Sequence, residues 1–570
     1  MKVKILFLAG LLGLLGLQAE SSAPLPNPLL KTMKAELTRS MAKLQLAGEK
    51  KPFFISYLLI DRNGFSTQAA LGALMNSNQN HNRFLNVMVR VGDHKLDNMP
   101  APEDLFNSDD EEEEHNQEYA RVPIPLTDDP ATMGRALWLL TDMRYKRALK
   151  QLTQKEGKRM QEVEEERPLD FSYEQPSNYT GAETRLVVDT LKWRNKVKEY
   201  SARFKQHSDI LESGVSFSVQ TKNDYFASSE GSQIQQGKVY YWLRISAATK
   251  APDGMWVSSY RNFFGWNESD LPSDETVMQE IEALMAEVLA LKAAPVMEAY
   301  AGPAIIQRQS AGVFVHEALG HRFESHRQGS KEYGETFKDK IGKKILPDFI
   351  SIFDDPTLQI YHGTPVDGYY RYDEEGIPSR RVDVVQDGIL KTFLSGRKPI
   401  KGLDKSNGHG RAMMQSVGYG DFPVPRQGNL ILETTRPVSF AQLKEMLLAE
   451  CRKKNKPYGL IFARSEGGST ATDRGIMEAF QSMPLVVFRV DALTGKEELV
   501  RGVKFGSTPL MVLDKIEATG DDPAAFNGFC GAESGSVPVA LIAPSLLLSE
   551  VEIAKTSAGK TKPPILPPPF

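Results

Sequence analysis

The chain has 570 residues, 41% of them hydrophobic and 25% charged, with a net charge of −4. That length is too great for one core, so two large domains are expected, and the composition excludes a disordered or fibrous chain. The weak net charge gives no electrostatic basis for nucleic acid or an anionic membrane surface as partner.

Lys2 and Lys4 precede an apolar run from Ile5 to Leu17, and Leu17-Gln18-Ala19 stands before Glu20. This pattern predicts a secretory signal peptide over residues 1–19, hence an exported, periplasmic or secreted protein. The run is short for a bilayer span, and no other stretch is long and apolar enough to be one.

The N-terminal domain is expected over residues 20–295. Met33, Leu37, Met41 and Leu44 recur at helical spacing, so residues 30–46 predict a helix. Phe53 to Ile60 and Phe84 to Val91 read as strands. Asp109 to Glu114 is a run of six acids, read as a solvated loop, with calcium binding as the alternative. Asp129-Pro130 predicts the start of a long charged helix running toward Arg167, stopped by Pro168. A second helix is expected from about Glu183 to Leu211, with Trp193, Val197, Tyr200 and Phe204 on one face. The period then changes to two, and strands around Val215–Gln220, Val239–Ser246 and Met255–Tyr260 predict an antiparallel meander. Leu271 to Leu291 returns to helical spacing before Pro295.

The C-terminal domain, residues 296–555, reads as rich in β-structure, which makes the fold class α+β. Val382 to Leu390 predicts a hairpin with an Asp387-Gly388 turn. Asp373-Glu374-Glu375-Gly376 reads as another turn, Phe440 to Cys451 as a short amphipathic helix, and Glu466 to Thr470 as a glycine-rich loop that lacks a phosphate-loop pattern. Residues 556–570 form a proline-rich tail.

The chemistry concentrates in His316-Glu317-Ala318-Leu319-Gly320-His321. Two imidazoles that hold a metal beside a carboxylate that takes a proton from water constitute the chemistry of a zinc hydrolase. The histidines are five apart, which places them ~140° apart on a regular helix. A shared metal therefore requires a π-bulge or an early helix end, with Gly320 as the break. Two histidines hold zinc weakly, so a third ligand is needed. Glu324, His326 and Cys530 are the candidates, and spacing does not choose among them. Cys451 and Cys530 are the two cysteines, and in an exported protein they also allow a disulfide.

Several segments in this order resemble the TldD/PmbA metallopeptidases, also called the modulator-of-gyrase family. They are Ser228-Ser229-Glu230-Gly231, the His-Glu segment, Asp373-Glu374-Glu375-Gly376-Ile377-Pro378, Gln386-Asp387-Gly388-Ile389-Leu390-Lys391, Ser406-Asn407-Gly408-His409-Gly410-Arg411 and Cys530-Gly531. The resemblance covers roughly residues 180 to 555. It implies a two-domain α+β architecture and a Zn2+ site of His316, His321 and Cys530, with Glu317 as catalytic base. It also implies an unfolded or extended peptide as substrate, bound as an added strand, and a homodimer or a heterodimer with a PmbA-like subunit. The family is usually cytoplasmic, whereas this chain carries an export pattern. The competing expectations are a non-catalytic peptide-binding or assembly subunit with a structural zinc, or one with a Cys451–Cys530 disulfide.

Overall fold

The structure is a computed structural model that describes residues 27–99, 122–160, 167–329, 336–412, 422–472, 479–532, 534–556 and 562–566. The signal-peptide reading of residues 1–19, the acidic run Asp109–Glu114 and most of the proline-rich tail lie outside the described residues. No described helix is long and apolar enough to cross a membrane.

The first half is one seven-stranded sheet, β1 (Pro52–Ala70), β2 (Ala73–Val91), β3 (Val122–Pro123), β4 (Asn178–Thr180), β5 (Glu212–Ser228), β6 (Gln233–Lys250) and β7 (Trp256–Gly265), in the order β3-β2-β1-β5-β6 with β4 and β7 both beside β6. The predicted strands 53–60 and 84–91 are the apolar parts of much longer ones. β1 continues past Ile60 through polar residues because it is paired on both sides, to β2 and to β5. Among these polar residues Asp61 accepts from Arg83 at 2.6 and 2.9 Å.

Four helices cover this sheet: α1 (Pro28–Lys43), α2 (Pro130–Arg159), α3 (Thr190–Ala202) and α4 (Asp274–Ala293). Asp129 caps α2 and Ser273 caps α4 through side-chain oxygens that accept an N3 amide. α3 is shorter than the expected 183–211. Its start is set by Asp189, which accepts from Lys192 N at 2.9 Å, and the helix tightens into a 3-10 turn at Arg203–Gln206. Trp193 stacks on Phe217 with centroids 3.6 Å apart, which locks α3 to β5. On α4, Val277, Ile281, Leu284, Met285 and Val288 are fully buried, each stabilising by about 1.5–3 kcal/mol.

The second half contains β8 (Tyr300–Ile306), β9 (Ile350–Asp354), β10 (Val382–Gln386), β11 (Ile389–Leu390), β12 (Asn429–Thr434), β13 (Pro437–Val438), β14 (Tyr458–Thr470), β15 (Phe480–Asp491), β16 (Glu497–Val500), β17 (Val503–Ser507), β18 (Ile516–Gly520), β19 (Ala524–Ala532), β20 (Gly535–Ala543) and β21 (Leu546–Lys555). The larger sheet runs β13-β18-β21-β17-β15-β14-β8, and β21 also pairs with β8, so its centre closes into a ring. The smaller runs β11-β10-β9-β12-β20-β19 and leaves β19 on an edge. Helix α5 (Arg308–Ala318) lies between the two sheets, and α6 (Phe440–Lys453) packs outside the ring.

The β10–β11 hairpin turns at Asp387 and Gly388 with φ of 49° and 76°, the left-handed pair that the Asp-Gly sequence predicts. Two expectations are corrected. Residues 466–470 are not a loop but the end of β14, and Cys530 lies in β19 rather than in a glycine-rich connection. In the first place glycine keeps the strand thin where Glu317 approaches Gly468.

The halves are tied by polar contacts. Arg397 forms a bidentate pair with Glu230 at 2.7 and 2.8 Å. Lys238 Nζ donates to Tyr369 O at 2.9 Å. Asp373 does act as a turn residue, accepting from the amides of Glu375, Ile377 and Gly410.

Candidate metal centre

Helix α5 is buried on every side from Ser310 to Ala318, as expected of a short apolar helix between two sheets. It stops at Ala318. Leu319 leaves helical geometry with φ −124° and ψ −49°, and Gly320–Phe323 forms a 3-10 turn. This is the early end that the five-residue spacing required. Arg322 stabilises it: its Nη1 donates to Glu317 O at 2.9 Å and Ala318 O at 3.4 Å, carbonyls that a helix end leaves without partners.

Gly320 is needed for a reason different from the one anticipated. Its φ is not positive; a side chain there would collide with the Gln427 amide. That closeness brings Gln427 Oε1 to His316, whose Nδ1 donates to it at 2.8 Å.

The break swings the two histidines together. Their ring centroids are 4.7 Å apart, and one donor atom from each of His316, His321 and Cys530 lies within 4.8 Å of the others. Cys530 Sγ is 3.4 Å from His321 Nε2. Of the candidates for third ligand, the structure thus brings Cys530 to the histidines. Glu324 lies behind His321, accepting from its Nδ1 at 3.2 Å and from Arg327 Nε at 3.1 Å. His326 is buried on the following turn and is absent from the three-residue cluster. The disulfide expectation is overturned: both cysteines are free, and Cys451 packs with Leu443 and Leu447 against the other side of the larger sheet.

The donor set suits Zn2+. Two imidazoles and a thiolate are borderline-soft ligands of the kind zinc takes. Each Nδ1 is held from behind, by Gln427 or by Glu324, so each ring presents Nε2 to the centre. Burial opposes a thiolate at Cys530, but His321, Arg426 and His316 outweigh it and hold the thiol well below its ordinary range. Arg426 is a direct contact, with Nη2 donating to Cys530 Sγ at 3.1 Å and to its carbonyl at 2.6 Å. Burial likewise opposes charge on Glu324, yet His321, Arg327 and Arg426 draw its carboxyl down to about 2.

Glu317 sits beside the three, with Oε1 3.9 Å from His316 Nε2 and a side chain that is 7% exposed. Burial pushes its carboxyl above the ordinary value. Its stem lies against Gly468 of β14, where any side chain would displace it.

Arg322, Arg426 and Gln427 were invisible to sequence reasoning. Arg426-Gln427 stands over 100 residues from the histidines in a proline-flanked stretch that resembles no motif. Asp354 and the motif segment 406–411 build the support beneath it. Asp354 accepts from Gly428 N at 3.0 Å, His409 O from Arg426 N at 2.9 Å, and Arg411 donates to Gln427 O.

The centre opens on a cleft of about 860 Å³. Residues 466–470 of β14 form one wall and residues 526–532 of β19 the other, with Tyr260 and Asn262 of β7 closing over them. No described strand pairs with the outer edge of β19. The 466–470 part of β14 pairs with β15 alone, since β8 reaches only Leu460–Phe462.

Residues 300–555 match the family model described as the PmbA/TldA metallopeptidase C-terminal domain. The chain is 26% identical over 358 residues to a metalloprotease of Methanocaldococcus jannaschii, covering 62% of this chain and 70% of that protein. It is also 26% identical to a protein named zinc metalloprotease TldD homolog from Saccharolobus solfataricus, over 44% of this chain and 51% of that one. Among solved structures, TldE from Thermococcus kodakarensis superposes with a TM-score of 0.58, covering 92% of this chain and all of that one, at 13% identity. That last likeness is one of fold.

Proposed function

The chain belongs to the TldD/PmbA family, and on that premise we propose that it is a zinc-dependent metallopeptidase cleaving extended peptides. The observation that carries the proposal is the convergence of His316, His321 and Cys530, with Glu317 beside them, on a cleft walled by a strand edge that no described strand covers.

His316, His321 and Cys530 would hold the ion. Bound there, zinc supplies Lewis acidity, acidifying water and polarising a carbonyl. Glu317 takes the proton from the attacking water onto its carboxylate and returns it to the departing amine. Burial against Gly468 holds that carboxylate in place, and among the described residues only His316 lies within ion-pair distance of its oxygens. The outer edge of β19 and the free end of β14 offer main-chain donors and acceptors to a peptide laid between them as a strand. Folded substrates are barred, because their backbones are already paired. Three protein donors leave a coordination position for chemistry, and Glu324, engaged with His321, Arg327 and Arg426, does not close it. That distinction favours a catalytic centre over a structural zinc.

The test is metal analysis of the purified protein beside cleavage of an unstructured peptide and of the same sequence in a folded domain. About one zinc per chain is expected, with cleavage of the unstructured form alone and none after chelation. A zinc-loaded protein that cleaves no unstructured peptide would refute the peptidase reading. Export through residues 1–19 belongs to the same proposal and is read by the N-terminal residue of the mature protein. Assembly as a homodimer, or as a heterodimer with a PmbA-like subunit, is read by light scattering.

A further inference from the structure

The N-terminal sheet forms the roof of the cleft. β6 and β7 pair with Arg244 opposite Asn262 and Ser246 opposite Tyr260. Alternation along the strands therefore puts Arg244, Tyr260 and Asn262 on one face, and all three line the cleft with the metal ligands.

The other arginines nearby are committed. Arg327 donates to Glu324 at 3.1 Å and Thr472 at 2.7 Å, Arg261 to Glu280 at 2.6 Å, Arg464 pairs with Glu287, and Arg426 serves Cys530. Arg244 differs. Among the described residues it forms no ion pair and no side-chain hydrogen bond. Its guanidinium lies over the Tyr260 ring, 4.4 Å from the centroid, and the Tyr260 hydroxyl is anchored to Glu466 O at 3.1 Å. Stacking fixes the plane of the guanidinium while leaving its N–H fork unspent. A planar fork of this kind matches a carboxylate with two parallel hydrogen bonds. Glu466, exposed on the facing strand, also lines the cleft and makes no ion pair with Arg244.

We infer that Arg244 is a specificity-determining residue that binds a carboxylate of the peptide in the cleft, from an acidic side chain or a free C-terminus. The inference rests on the peptidase reading. It narrows the substrate class to peptides that place a negative charge near the scissile bond.

The test uses the zinc-loaded full-length protein and two matched peptide pairs, one with Asp or Asn at a single internal position, the other with a free or amidated C-terminus. kcat/KM should favour the carboxylate member of at least one pair on the order of tenfold. Which pair responds identifies the source of the carboxylate. Arg244→Gln should bring that ratio to about one, and Arg244→Lys should retain part of it, since a lysine keeps the charge but not the fork. Binding to the Glu317→Gln protein, read by fluorescence anisotropy of labelled peptides, gives the same comparison without turnover. It separates the two ideas: a carboxylate preference in binding without cleavage sinks the peptidase reading alone. Equal kcat/KM and equal binding for both members of both pairs, or a preference that survives Arg244→Gln, would overturn the role of Arg244.

Discussion

The placement of Glu317 rests on one missing side chain, and Gly468→Ala tests it. A methyl group there would lie 2.5 Å from Glu317 Cγ, 2.9 Å from its Oε1 and 2.7 Å from Gln481 O. Gln481 O is main chain on the strand paired to this one, so it cannot withdraw without loss of the ladder. Glu317 must yield instead. To regain an ordinary contact of 3.4 Å, its Cγ has to retreat by about 0.9 Å. A displacement of ~1 Å at a catalytic group costs on the order of 10²-fold in rate. The same overpacking should destabilise the protein by about 1–3 kcal/mol. Neither effect involves His316, His321 or Cys530, so zinc content should be unchanged. The neighbouring Gly467 is the control. A methyl at that position meets nothing within 4 Å, so Gly467→Ala should leave Glu317 in place, lose far less turnover than Gly468→Ala and stay within about 0.5 kcal/mol of the wild type. The assay is kcat/KM on an unstructured peptide, with zinc per chain and the denaturant midpoint measured on the same preparations. Full turnover by a zinc-loaded Gly468→Ala protein, or an equal loss in both alanine variants, would refute the argument.

Glu317→Gln should keep zinc and lose turnover by about 10²–10⁴-fold, the range for removal of a general base; retained turnover would remove Glu317 from the mechanism. Cys530→Ala should lose zinc, whereas Cys451→Ala, in an apolar cluster on the other side of the sheet, should keep it; metal analysis of the two proteins side by side decides. Asp367→Asn addresses pH. Burial pushes the Asp367 carboxyl well above its ordinary range, only partly offset by Arg411, and neither oxygen finds a hydrogen bond of normal geometry. Above about pH 4 the unfolded chain has released this proton while the folded chain retains it, so stability falls as pH rises toward the folded pKa. Unfolding midpoints measured from pH 4 to 8 should show the variant gaining on the wild type; parallel curves would contradict the assignment.

Much of the site was legible in the chain itself. The spacing of His316 and His321 demanded a break in the helix, because five residues cannot share one face, and the break is there. Apolar periodicity located α1, α4 and α6, and the Asp387-Gly388 pair located a hairpin, because these signals are local. Strand lengths were underestimated because hydrogen bonds to two neighbours, not hydrophobicity, carry β1 through its polar half. Glu466–Thr470 and Phe529–Gly531 looked like loops because glycine is scarce in strands. Here it is retained where Glu317 presses against Gly468.

Residue type and local spacing thus determined the donor chemistry of the His-Glu segment. Only the tertiary structure decided what completes the centre. Cys530, Glu324 and His326 were equivalent by spacing, and the choice came from pairing β19 with β20, which carries a thiol 209 residues away to within 3.4 Å of His321. Arg426 and Gln427 reach the site from one connecting segment and Arg244 from β6. A side chain's identity is written in the chain, but the point in space at which it meets another is set by long-range packing, and no local pattern records it.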